Sequence, residues 1–254
     1  ASDDLPLCSP MGGAVKKPPP PSAPPPGENP RTGEPKRLSH GCPHSPVAGF
    51  RSDRLAAPDD GRWRRLALGG ILGPAAFIGA WVVGSAVAVD YSPITDAISR
   101  LAAVGADTRV LMSAGFLGFS TASIPAAGAV RRAIPGSAWV GVVGTGLATA
   151  AVAALPLDRN PVIDAAHALA AGAGYALFVY AAAAAAKPLW EAGRRSLATI
   201  SMCVAVLASA ALVATPFVEA SGLLQRIGLT SLDVWLATIS ALVLSGRLAI
   251  DPIG

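Results

Sequence analysis

The chain has 254 residues, of which 52% are hydrophobic and 14% charged, against roughly 25% charged in an ordinary soluble domain. Together with a mean hydropathy of +0.49, that composition excludes a water-soluble globule with a polar skin. The formal net charge is +4, and no phosphate-binding loop, dinucleotide fingerprint or nucleic-acid recognition motif accompanies it. Nucleic acid is therefore not an expected partner, and ATP- or NAD-linked chemistry has no support.

Residues 1–60 come first and are unlike the rest. They hold fourteen of the 23 prolines, including the run KKPPPPSAPPP from Lys16 to Pro26. Such a stretch buries too little apolar surface to offset backbone entropy, so a disordered cytoplasmic tail with polyproline II character is expected. No apolar run of the kind a secretory signal needs precedes Leu66. His40, Cys42 and His44 offer three metal donors without a fourth or a folded frame, which falls short of a structural zinc site. No metal and no cofactor are assigned. Cys203 reads as a small buried hydrophobe.

Residues 61–250 read as an all-α, six-transmembrane-helix bundle. A membrane helix needs about 20 apolar residues, and runs of that kind fall near 66–89, 110–130, 135–156, 164–186, 196–217 and 227–246. The last is interrupted only by Asp233. Orientation follows from the short connections. One side collects 16 basic residues, counting the tail. The other collects four, Arg100, Arg109, Arg159 and Arg226, together with seven acids. The predicted topology is a multi-pass protein of the cell membrane with both termini cytoplasmic. Gly69-x-x-x-Gly73 and Ser137-x-x-x-Gly141 supply small-residue helix faces for close packing. The expected partners are membrane lipids and, through such faces, a second copy or another membrane protein. Trp63, Trp81, Trp139, Trp190 and Trp235 fall mostly near span ends, where interface anchors sit.

Two connectors carry polar residues that generic loops lack. After the first span, Asp90 to Gly105 reads DYSPITDAISRLAAVG. Thr95 is placed to cap a short helix over Asp96–Val104, with Asp96 in its first turn and Arg100 four residues on. Ile94, Ile98 and Leu101 form an apolar side, so this loop is predicted to fold back onto the bundle mouth. After the third span, Leu155 to His167 reads LPLDRNPVIDAAH and sets Asp164 and His167 three apart on the next helix.

These two segments resemble the bacterial membrane family catalogued as domain of unknown function 998. The shared features are Tyr91-Ser-Pro with Asp96-x-Ile-Ser-x-Leu after the first span, a Pro-x-Asp turn at Asp158, and His167 opening the fourth span. The likeness runs from about Leu66 to Gly246; Arg100 and Ala168 depart from the family pattern. The resemblance implies six membrane spans and brings no established activity.

Three readings fit the outer-face set of Asp90, Asp96, Ser99, Asp158, Asp164, His167 and Asp233. The first is structural: caps, turns and an Asp–His hydrogen bond. The second is a pocket for a proton or small solute, since ionisable groups within spans are costly and His167 and Asp233 lie there. The third is a lipid-handling enzyme built on Ser99, His167 and an Asp. Ser99 has no nucleophile-elbow context, and a His-rich zinc site is excluded by the single membrane-domain histidine. A buried His167 needs a partner, expected to be the carboxylate of Asp158, Asp90 or Asp233.

Overall fold

The computed structural model describes residues 61–249. The expectations for the 1–60 tail, including His40, Cys42 and His44, lie outside the described residues.

Among the described residues six long helices follow one another: α1 (Arg62–Val87), α2 (Arg109–Ala133), α3 (Ala138–Ala154), α4 (Pro161–Glu191), α5 (Arg195–Ala214) and α6 (Ser221–Leu244). Connections of three to six residues join the later helices, while residues 88–108 between α1 and α2 form a longer one. Each packs on the next, α6 returns to α1 to close the ring, and α6 also reaches α2 and α4 across the centre. Five of the helices are long and apolar enough to cross a membrane. The sixth, α3, is an uncharged helix of 17 residues, about 26 Å long at the usual rise.

Local chemistry fixes the ends. Asn160 accepts a hydrogen bond from the Ile163 N–H at 2.9 Å, with Pro161 in the first helical position of α4. Gly193 and Gly246, at φ 74° and 73°, close α4 and α6. There Arg194 N–H donates to Leu189 O and Arg247 N–H to Leu242 O, each at 2.9 Å, which satisfies carbonyls the helix leaves open. Helix α6 starts at Ser221, six residues before the predicted span, because the run 221–226 is helical despite its polar Gln225 and Arg226.

Packing is close because the facing residues are small. A Cβ on Gly69 would stand 2.2 Å from Ala122 O on α2, and one on Gly141 would stand 2.5 Å from Leu177 O on α4. Both small-residue motifs thus bring helices of this chain together. In the core, Phe77 contacts Phe116 and Phe119, and Phe119 contacts Phe178, with ring centroids 5.8–5.9 Å apart. Outside, Leu72, Val83, Leu117, Leu147, Leu169 and Val213 are exposed, as suits a surface solvated by hydrocarbon. Cys203 is exposed there as well, a correction to its expected burial: the α5 position it occupies faces outward. Trp235 is the exception to the tryptophans near helix ends: it is buried mid-helix, with its indole N–H on Ser201 Oγ at 2.9 Å. At the arginine-rich end, Arg131 lies over Trp139 and Arg195 over Trp190, at 4.9 and 5.5 Å, in cation–π range.

Candidate functional site

The connection from α1 to α2 forms a cap. Asp90 adopts a left-handed φ of 55°, and the chain folds back through a short 3₁₀ turn, Ile98–Ala102. Ile98 and Leu101 are buried as expected, whereas Ile94 is exposed. The turn is shorter than the predicted Asp96–Val104 helix and has Ala97, not Thr95, before its first residue. Asp96 does not sit in a helical first turn. Its Oδ2 accepts from Ser92 N–H at 2.8 Å, because a carboxylate so close in sequence satisfies that amide locally. Arg100 does not pair with Asp96 either. It reaches Asp158 at 3.5 Å across an exposed gap, where Val104 N–H also donates to Leu157 O at 2.9 Å.

The start of α6 holds this cap down. Leu223 N–H donates to Ile94 O, Ser221 Oγ donates to Thr95 O, and Gln225 Oε1 accepts from Ile98 N–H, all at 2.9 Å. A Cβ on Gly222 would lie 2.3 Å from Asp96 O, so this approach requires glycine. Arg226 is the centre of the clamp. Its Nη1 donates to Pro93 O at 2.7 Å and to Asp96 O and Gly222 O at 2.9 Å. Its Nη2 donates to Tyr91 Oη. The guanidinium also stands 5.4 Å from the Trp81 ring and 5.5 Å from that of Tyr91. Burial pushes the Tyr91 phenol above its ordinary range, and the Arg226 charge opposes that rise. Tyr91 therefore stays a neutral hydroxyl, which donates in turn to Ala97 O at 3.2 Å.

Above the cap is an open surface pocket of about 340 Å³ that includes Asp90, Asp96, Asp107, Asp158 and Arg100. Among the described residues no three His, Cys, Asp or Glu side chains are placed to hold a metal ion.

Beneath the cap is a small pocket among the helices, with a volume of about 70 Å³. Ser99 of the cap and Gln225 line it, with Thr145 and Thr149 from α3, Tyr175 from α4 and Asp233 from α6; the core phenylalanines complete the wall. Asp233 is 1% exposed, and neither carboxylate oxygen has a hydrogen-bond partner among the described residues. Tyr175 Oη is likewise buried without a partner. It is seated so tightly against Gly228 that no Cβ fits there. Asp233 lies twelve residues into α6, about 18 Å along the axis. It belongs to the bundle interior and not to the outer face assigned from sequence, because the helix begins six residues earlier than the apolar run.

His167 is buried, and its partner is a correction. Its Nδ1 lies 2.6 Å from Leu155 O, so the ring donates to a backbone carbonyl and not to a carboxylate. The end of α3 leaves carbonyls open, and the imidazole of the next helix satisfies one. Among the described residues its Nε2 has no hydrogen-bond partner, nor does the buried Oδ1 of Asp164.

The expected residues therefore divide. Ser99 and Asp233 share the pocket beneath the cap; Asp90, Asp96 and Asp158 share the surface pocket; Asp164 and His167 line neither. A Ser99–His167–Asp triad is not assembled. Arg226, Gln225, Tyr175, Thr145 and Thr149 were missed from sequence, and Tyr91 was named only as part of the Tyr91-Ser-Pro motif. The one available signal is the spacing Arg226, Asp233, Ser240: seven-residue steps that put three polar side chains on nearly one helix face, all three buried.

A family model described as "Protein of unknown function (DUF998)" matches residues 71–242. No curated protein and no solved structure matches the chain.

Proposed function

The chain belongs to the DUF998 family and is a multi-pass integral membrane protein; from that premise we propose that it handles a proton or a small cation at Asp233. One observation carries this reading: a carboxyl group at membrane depth, buried in a cavity, with both oxygens unpartnered among the described residues. An isolated charge taken out of water costs several kcal/mol even after relaxation. A proton or cation on the carboxylate removes that cost, whereas a purely structural carboxylate needs donors of its own. Ionisable groups inside membrane bundles mark ion and proton sites for this reason.

The lipid-handling alternative has less support. The sideways-open groove of about 450 Å³ between α5 and α6 offers Thr230 and Ser231, but the Ser231 hydroxyl donates to Gly228 O, and no general base lines the groove.

The 16-to-4 division of basic residues between the two sides supports a cell-membrane protein with cytoplasmic termini and an outward-facing cap. In a background without native cysteines, Ser92→Cys should label from outside and Gly193→Cys from inside; labelling from the same side would refute the topology. For the site itself, proteoliposomes adsorbed on a solid-supported membrane should give a transient current after a step in pH or cation concentration. Asp233→Asn should abolish it. An undiminished transient in that variant would overturn the assignment.

A further inference from the structure

We propose that the group Asp233 binds is a small primary ammonium-type cation, of the size of ammonium or methylammonium. This rests on Asp233 being the working site, and it names the ligand class.

Size is the first argument. Drug-sized ligands occupy pockets of roughly 300–1,000 Å³, while this cavity has about 70 Å³. That is room for a few water-sized bodies, or for a cation of one or two heavy atoms.

The second argument is the count of open acceptors. Asp233 Oδ1 and Oδ2 are both buried without hydrogen-bond partners among the described residues, and Asp233 lines this pocket. A primary ammonium carries three N–H donors and no acceptor. Its single positive charge matches the one carboxylate.

The wall supplies the third. Phe77, Phe116, Phe119 and Phe178 line the same space, and aromatic rings attract desolvated organic cations. Hard divalent metal ions ask for six or more oxygen ligands. Here the remaining oxygens belong to Ser99, Thr145, Thr149 and Gln225, on three separate elements, and no metal-ligating cluster exists among the described residues. A carboxylate set in an aromatic wall suits an ammonium head with or without a methyl group better than a metal ion.

The test is thermal unfolding of the full chain in detergent, titrated with methylammonium chloride, ammonium chloride, sodium chloride, potassium chloride and tetramethylammonium chloride at matched ionic strength. Methylammonium and ammonium should raise the melting temperature saturably, while the other three should leave it unchanged. Asp233→Asn should remove the response. Equal responses to sodium or potassium, or no response to methylammonium, would overturn the ammonium assignment. If the Asp233-dependent current in proteoliposomes persists in that case, only the ligand class is wrong. If Asp233→Asn retains every response, both readings fall.

Discussion

Arg226 and Asp233 stand seven residues apart on nearly the same face of α6, and both are buried. The fold treats them in opposite ways. Arg226 donates to three carbonyls and a phenol and lies against two aromatic rings. Asp233 has no donor at either oxygen among the described residues. The cation is thus enclosed by the groups it organises, and the chain from Tyr91 to Ala97 takes its path around it. The anion is enclosed by phenylalanines and a small cavity, which organise nothing around its charge. A buried charge with all its partners present builds structure, and one with none is kept for something that arrives.

The largest effect should come from the cap. Arg226→Met removes the side-chain donor that ties Pro93 O, Asp96 O and Gly222 O together, along with its contacts to two aromatic rings, and should cost about 3–5 kcal/mol of stability, visible as a large fall in melting temperature in detergent. Arg226→Lys should rescue little of it, because an ammonium lacks the planar fork that spans these acceptors. A wild-type melting temperature in Arg226→Met would make the clamp incidental and erase the contrast with Asp233.

A smaller loss is expected at the α3–α4 turn. His167→Ala abandons the hydrogen bond to Leu155 O and should cost about 1–3 kcal/mol, while leaving any Asp233-dependent current intact because His167 does not line the cavity. Loss of current in a well-folded His167→Ala protein would extend the working site to this histidine.

The smallest effect belongs to the exposed tie between cap and turn. Arg100 and Asp158 have half-exposed side chains at 3.5 Å, and such pairs contribute about 0–1 kcal/mol. Arg100→Ala should shift unfolding by no more than that, and raising the salt concentration should shrink the difference further.

The helices themselves were legible because hydrocarbon thickness demands long apolar runs, and such runs show directly in sequence. The packed cap was legible from Ile98 and Leu101, whose spacing gives a short segment one apolar side. Arg226 was not, since a charge at the edge of an apolar run reads as a loop residue until its acceptors are known. Those acceptors are backbone carbonyls of Pro93, Asp96 and Gly222, which have no letter in the sequence. The same reason hid the partner of His167, a carbonyl at a helix end. Asp233 was visible as a costly residue, but its depth depended on where α6 begins. The cavity around it is assembled from Phe77, Thr145 and Tyr175 on three other helices, a convergence that no local pattern encodes.

The most direct test of this account is the thermal unfolding of Asp233→Asn, measured in the same detergent as wild type and Arg226→Met without added cation. A carboxyl group that holds nothing together should be replaceable: the variant is expected to melt at or above the wild-type temperature, because an amide of the same shape takes its place without breaking any hydrogen bond seen among the described residues. A loss of stability as large as that of Arg226→Met would show that Asp233 is a structural group, and would contradict the division of labour along α6.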